Sequence, residues 1–152
     1  MINVAIYNEH KLILDGFGAM LDNNADIKVS FTCTNKLALP DKLKNILTHV
    51  LILNLNELSV RNINLIIQLT ISFPKIKLLV VSAIENDETI IKTIKSGAKG
   101  FLGKESSRID MIEAIYTLRN GFDYYSKSIT NLLLNRYINN MKTDTPEQNI
   151  DM

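Results

Sequence analysis

The sequence predicts an α/β fold built on a parallel sheet, and three observations carry that prediction. Short apolar runs of strand length alternate with longer stretches of helical period, as β-α units do. The short runs are rich in Val, Ile, Leu and Phe, as strands buried on both faces require. At 152 residues, 46% of them apolar and 22% charged, the chain is long enough to bury one core without staples or metal.

Five strands can be counted, at approximately Ile2–Ile6, Ile27–Cys33, Val50–Leu53, Lys77–Val81 and Gly100–Leu102. Between them, residues 11–23 place Leu12, Phe17, Met20 and Leu21 on roughly one face of a helix, and Ile90, Ile91 and Ile94 do the same after the fourth strand. A second helix is expected from Pro40, suited to a first helical turn, through Leu43, Ile46 and Leu47. Residues 110–119 repeat the helical spacing with Met111, Ile112, Ile115 and Leu118, and Gly121 then supplies a stop. A last helix, capped by Ser128, carries Ile129, Leu132, Leu133 and Tyr137 along one stripe that something must cover. This divides the chain into a domain at 1–120, an extension helix at 121–142 and a polar tail or linker start at 143–152.

Seventeen Lys and Arg against sixteen Asp and Glu leave no basic field of the kind that drives binding to a phosphate backbone. Contact with DNA would need a further domain. Cys33 is the single cysteine, which excludes a disulfide framework, fits a buried thiol and points to a reducing cytoplasm. The longest apolar runs, such as "LLVVSAI" at 78–84, fall far short of the ~20 residues that span a bilayer, so no membrane is expected.

In a doubly wound sheet, ligands bind beyond the carboxyl ends of the strands. There the sequence puts Asn8 and Glu9 after the first strand, Asn54 at the end of the third, Ser82 after the fourth and Lys104 after the fifth. Each has an ordinary reading too: Asn8 and Glu9 suit a helix start, Asn54 can serve a strand end, and Ser82 and Lys104 suit a surface. His10 adjoins Glu9, but His49 begins the third strand at the opposite edge, so a histidine metal site is not expected. The pair Tyr124–Tyr125 lacks surrounding basic residues and is expected to pack between the last two helices.

The stretches "VAIYNEHKLILDG", "HVLILNLNEL", "FPKIKLLVVSA", "IKSGAKGFLGKESS" and "LRNGFDYYSKSITNLLLNRY" occur in an order and spacing that resembles the receiver domain of two-component response regulators of the NarL/FixJ type, over roughly residues 1–140. The resemblance implies a flavodoxin-like receiver fold, with five parallel strands in the order 2-1-3-4-5, helices on both faces and an extra C-terminal helix. In ordinary members of that family two acidic residues after the first strand hold Mg²⁺. An aspartate ending the third strand accepts a phosphoryl group, and a hydroxyl and a lysine contact it. Those positions are Asn8 and Glu9, then Asn54, then Ser82 and Lys104. The family's switch aromatic falls on Phe101.

The departures set the functional expectation. A neutral, delocalised amide at Asn54 is a very poor nucleophile, so no aspartyl phosphate should form there. Magnesium is usually held through carboxylates, and Glu9 alone remains of the expected acids, so no cofactor is expected and Mg²⁺ binding should be weak or absent. Glu9 and Lys104 sum to zero charge, which predicts that Lys104 pairs with Glu9 and hydrogen-bonds Asn54, locking the pocket.

The resulting expectation is a phosphorylation-independent receiver that is not an enzyme. It would control transcription as a homodimer, through a DNA-binding output domain lying beyond this chain. The apolar stripe of the last helix and the helix at 108–119 are the expected self-association surfaces. The alternative is a stand-alone adaptor read through residues 86–119. A third reading, a small-ligand binder that reuses the pocket, lacks any nucleophile-base pair, Gly-rich phosphate loop or metal cluster in the sequence.

Overall fold

The computed structural model describes residues 1–83 and 86–150, with side chains through 142. Ile84 of the run 78–84 and the last two residues of the polar tail lie outside the described residues. In chain order the elements are β1 (Ile2–Tyr7), α1 (Lys11–Asp22), β2 (Ile27–Cys33), a 3-10 turn (Lys36–Ala38), α2 (Leu39–Asn45), β3 (Val50–Asn54) and α3 (Val60–Ser72). There follow β4 (Lys77–Ser82), α4 (Asp87–Lys95), β5 (Gly100–Gly103), α5 (Arg108–Arg119), β6 (Tyr124–Tyr125) and α6 (Lys127–Ile150).

One sheet runs in the order β2-β1-β3-β4-β5-β6, with every neighbouring pair parallel. The first five strands keep the expected order, because each apolar run is returned to the same edge by the helix that follows it. Along β3 every residue is buried. Leu51 and Leu53 join Ala5, Tyr7, Leu78, Val80 and Phe101 in a core with residues of α2, α3 and α4. Val50 and Ile52 join Val4, Ile6, Leu79, Val81 and Leu102 in a second core with residues of α1 and α5. The alternation of strand side chains thus builds two cores on one sheet, each fully buried aliphatic residue contributing roughly 1.5–3 kcal/mol.

Several expectations change. Tyr124–Tyr125 is not helix packing alone but a sixth strand, at the sheet edge: Tyr124 donates to the Lys99 carbonyl at 3.0 Å, and Ser126 donates to that of Phe101 at 3.1 Å. Gly121, at φ 95°, turns the chain there, a region that favours glycine. Helix α2 starts at Leu39 and stops at Asn45, because Ile46 is extended and Leu47 lies exposed beyond it. In α1 the inward stripe is Leu14, Phe17 and Leu21, while Leu12 is 83% exposed. A helical step of 100° per residue puts positions 12 and 14 on nearly opposite faces. Helix α3 was not foreseen, although Ser59 caps it by accepting from the Asn62 amide at 3.2 Å.

Helix α6 begins at Lys127, with the Ser126 carbonyl accepting from the Thr130 amide at 2.9 Å, so Ser128 lies inside the first turn rather than at the cap. Ile129, Leu132 and Leu133 pack on the first core, so the chain itself covers most of the stripe expected for self-association, whereas Tyr137 is 64% exposed, past the edge of that packing. The helical backbone continues to Ile150 through the expected tail. Once nucleated, a helix satisfies its own backbone, so polar residues can propagate it without facing a core.

Candidate functional site

The carboxyl ends of β1, β3, β4 and β5 bring Asn8, Asn54, Ser82 and Lys104 to one edge of the sheet, in a register that sets Tyr7 beside Leu53, Asn54 beside Val81 and Ser82 beside Gly103. Asn8 is 1% exposed. Its Nδ2 donates to the Asn54 carbonyl at 2.8 Å, and its Oδ1 accepts from the His10 amide at 2.8 Å, which stitches β1 to β3 and starts α1. His10 is the N-cap of α1 yet makes no capping bond with its own side chain; the Asn8 carboxamide serves that turn instead.

Asn54 is 4% exposed and its Oδ1 has no hydrogen-bond partner. Ser82, fully buried, likewise has an unpartnered hydroxyl. Buried polar groups without partners are rare in folded proteins, and each calls for an explanation. The expected lock is not formed. Lys104 is exposed and makes no ion pair or hydrogen bond among the described residues. The Glu9 carboxylate instead accepts from Asn56 Nδ2 and lies 3.7 Å from the His10 ring nitrogen. At a solvated rim, holding a long lysine chain against one carboxylate costs as much entropy as the pair returns, so the shorter amide takes the acceptor. The side chain of Phe101 is fully buried in the first core.

A cleft of about 440 Å³ opens beside Asn54, between the β1 and β3 ends and the start of α3, and its lining includes Tyr7, Glu9, Lys36, Asn56, Glu57 and Arg61. Lys36 donates from Nζ to Asn62 Oδ1 at 2.6 Å, and Asn62 Nδ2 donates to the Glu57 carbonyl at 2.7 Å. Burial first, then the charges of Glu9 and Cys33, push the Tyr7 hydroxyl above its ordinary pKa. Sequence reasoning missed Lys36, Asn56, Arg61 and Asn62. Only Asn56 left a signal, as the second amide of "NLN" just past a strand end.

As a metal site the edge is poor. Its donors are one carboxylate, one amide already bonded through both ends, and one neutral amide. That set does not fit a hard divalent cation, which takes carboxylate and other oxygen donors. Among the described residues no group of three or more His, Cys, Asp or Glu is placed to hold a metal ion. Among them, too, no helix is long and apolar enough to cross a membrane.

No family model matches the chain. Curated relatives include the oxygen regulatory protein NreC of Staphylococcus epidermidis, 28% identical over 152 residues that span 99% of this chain and 69% of NreC. The protein of the same name from Staphylococcus carnosus is 25% identical over 97% of this chain and 69% of its own length. Among solved structures, the isolated receiver domain of RcsB from Salmonella enterica serovar Typhimurium in its apo form superposes with a TM-score of 0.76 at 25% identity, covering 88% of this chain and 98% of that one. RcsB in a complex with DNA gives a TM-score of 0.76 at 24% identity over 87% of this chain and 67% of that one. The chain is thus similar along almost its whole length to the regulatory protein NreC and shares the fold of the RcsB receiver domain.

Proposed function

We propose that this chain is a response-regulator receiver domain that works without phosphorylation, acts in the cytoplasm, and controls transcription by dimerisation and through a DNA-binding output domain that lies outside these residues. The observation that carries the reading is Asn54, a buried carboxamide whose oxygen has no partner, at the position where the resemblance puts the phosphoryl acceptor. An amide offers no charged oxygen to attack phosphorus. Lys104, exposed and without an ion pair or hydrogen bond among the described residues, and the single carboxylate at Glu9 support the same reading, since neither is arranged to hold an acyl phosphate or its metal. Support for a transcriptional output comes from RcsB, whose structures include complexes with DNA.

Self-association is supported by the stripe Leu134, Tyr137, Ile138 and Met141 on α6, exposed at helical spacing. With phosphorylation gone, the input must be something that binds two states of the domain unequally, since equal binding shifts nothing. The test is incubation with a small phosphodonor and Mg²⁺, followed by intact-mass measurement. The natural chain should gain no phosphoryl mass, whereas the double variant Asn8→Asp, Asn54→Asp should gain it; phosphoryl mass on the natural chain overturns the reading.

A further inference from the structure

The cleft beside Asn54 is built unlike a phosphate pocket, and its charges are sorted. At the α3 end lie Lys36 and Arg61 with Glu57; Lys36 and Asn62 bond each other, and Asn62 bonds the Glu57 backbone. Two cations less one carboxylate leave a formal charge of +1 there. The first amides of α3, a helix of 13 residues, add the positive end of its dipole. At the β1–β3 end lies Glu9, held by Asn56 and supplying −1, beside the unpartnered carboxamide of Asn54. The oxygen of that carboxamide has no partner, so it can accept from a donor that enters the cleft. The Tyr7 hydroxyl, also without a hydrogen bond among the described residues, lines the same space.

We infer that this cleft binds a free α-amino acid: the ligand carboxylate meets Lys36, Arg61 and the start of α3, and its ammonium meets Glu9 and the Asn54 oxygen. A zwitterion matches both ends, whereas an anion would leave Glu9 facing like charge and a cation would leave Lys36 and Arg61 facing theirs. The volume of about 440 Å³ lies in the range of small-molecule sites and leaves room for a side chain. The unpartnered oxygen of Asn54, a cost in the empty domain, becomes a bonded group in the filled one. The inference rests on the reading of Asn54 as an inactive acceptor, because a phosphoryl group or its metal would occupy the same ground.

The experiment is thermal unfolding of the domain with each proteinogenic amino acid at millimolar concentration, beside the matching amine without the carboxylate and the acid without the amine. One or more amino acids should raise the midpoint, by roughly 8 °C at a hundredfold excess over Kd, and neither single-charge analogue should match it. Arg61→Ala and Lys36→Met, both changes at the cleft rim, should each weaken binding by roughly tenfold or more in calorimetric titration. Asn54→Leu should abolish it. The inference is overturned if no amino acid shifts the midpoint, if the deaminated acid stabilises as well as its parent, or if both rim variants bind as the natural chain does. A failure here leaves the phosphodonor result untouched, so the two readings are judged separately.

Discussion

Asn8 donates to the Asn54 carbonyl and accepts from the His10 amide, each at 2.8 Å, at a site only 1% exposed. A carboxylate at position 8 could keep the second bond but not the first, because it would set an ionised acceptor against a carbonyl oxygen. Asn8→Asp is therefore expected to cost about 1–3 kcal/mol in urea unfolding at neutral pH. The loss should shrink in acid, where the new carboxyl regains a proton to donate; a variant as stable as the natural chain at neutral pH would contradict this bond. Ser82 poses the opposite case. Its hydroxyl is buried and unpartnered, so Ser82→Ala removes a desolvated polar group and should leave stability unchanged or raise it by up to about 1 kcal/mol. A clear loss in the same assay would mean that the hydroxyl has a partner after all.

Among the elements, the starts of β1 and β3 are joined through His49, which donates from its amide to the Asn3 carbonyl at 2.8 Å and accepts from the Asn3 amide on Nδ1 at 2.9 Å. That second bond needs the neutral ring. Burial, then the charges of Arg119 and the amino terminus, lower the His49 pKa from its ordinary value of 6.5. The folded state therefore binds fewer protons than the unfolded one below that value, so stability is complete above pH 6.5 and falls as the pH drops toward the folded pKa. Urea midpoints measured from about pH 7.5 to about pH 5.5 should decline in the natural chain and decline less in His49→Gln. Elements also differ in how far they could be read from the sequence. The bounds of β1 to β5 were legible to within one or two residues because burial on both faces writes a dense apolar run. Strand β6 was not, since two tyrosines carry no such run and pair only because Gly121 turns them onto β5. The end of α2 was hidden for a similar reason: Ile46 is apolar but extended, held by tertiary packing rather than by helical period.

In the molecule as a whole, the positions at the sheet edge were legible because strand ends converge whatever the side chains do, while the bonds among them were not. The chain's order cannot say that Asn56 rather than Lys104 reaches Glu9, nor that Lys36, 26 residues from Asn62, lies against it. The same long-range packing decides whether α6 is an appendage or part of the domain. Its first turns send Ile129, fully buried, with Leu132 and Leu133 behind it, into the core that also holds Phe101, Ile90 and Leu78. An appendage would unfold separately and leave the sheet intact, whereas a helix that fills a core should unfold with it in one transition. Ile129→Ala should then lower the stability of the entire domain by about 2–5 kcal/mol, the cost of an unfilled space in a packed core. Helical circular dichroism and tyrosine fluorescence should follow one coincident urea curve in both proteins, and a first transition confined to the helical signal would separate α6 from the rest of the domain.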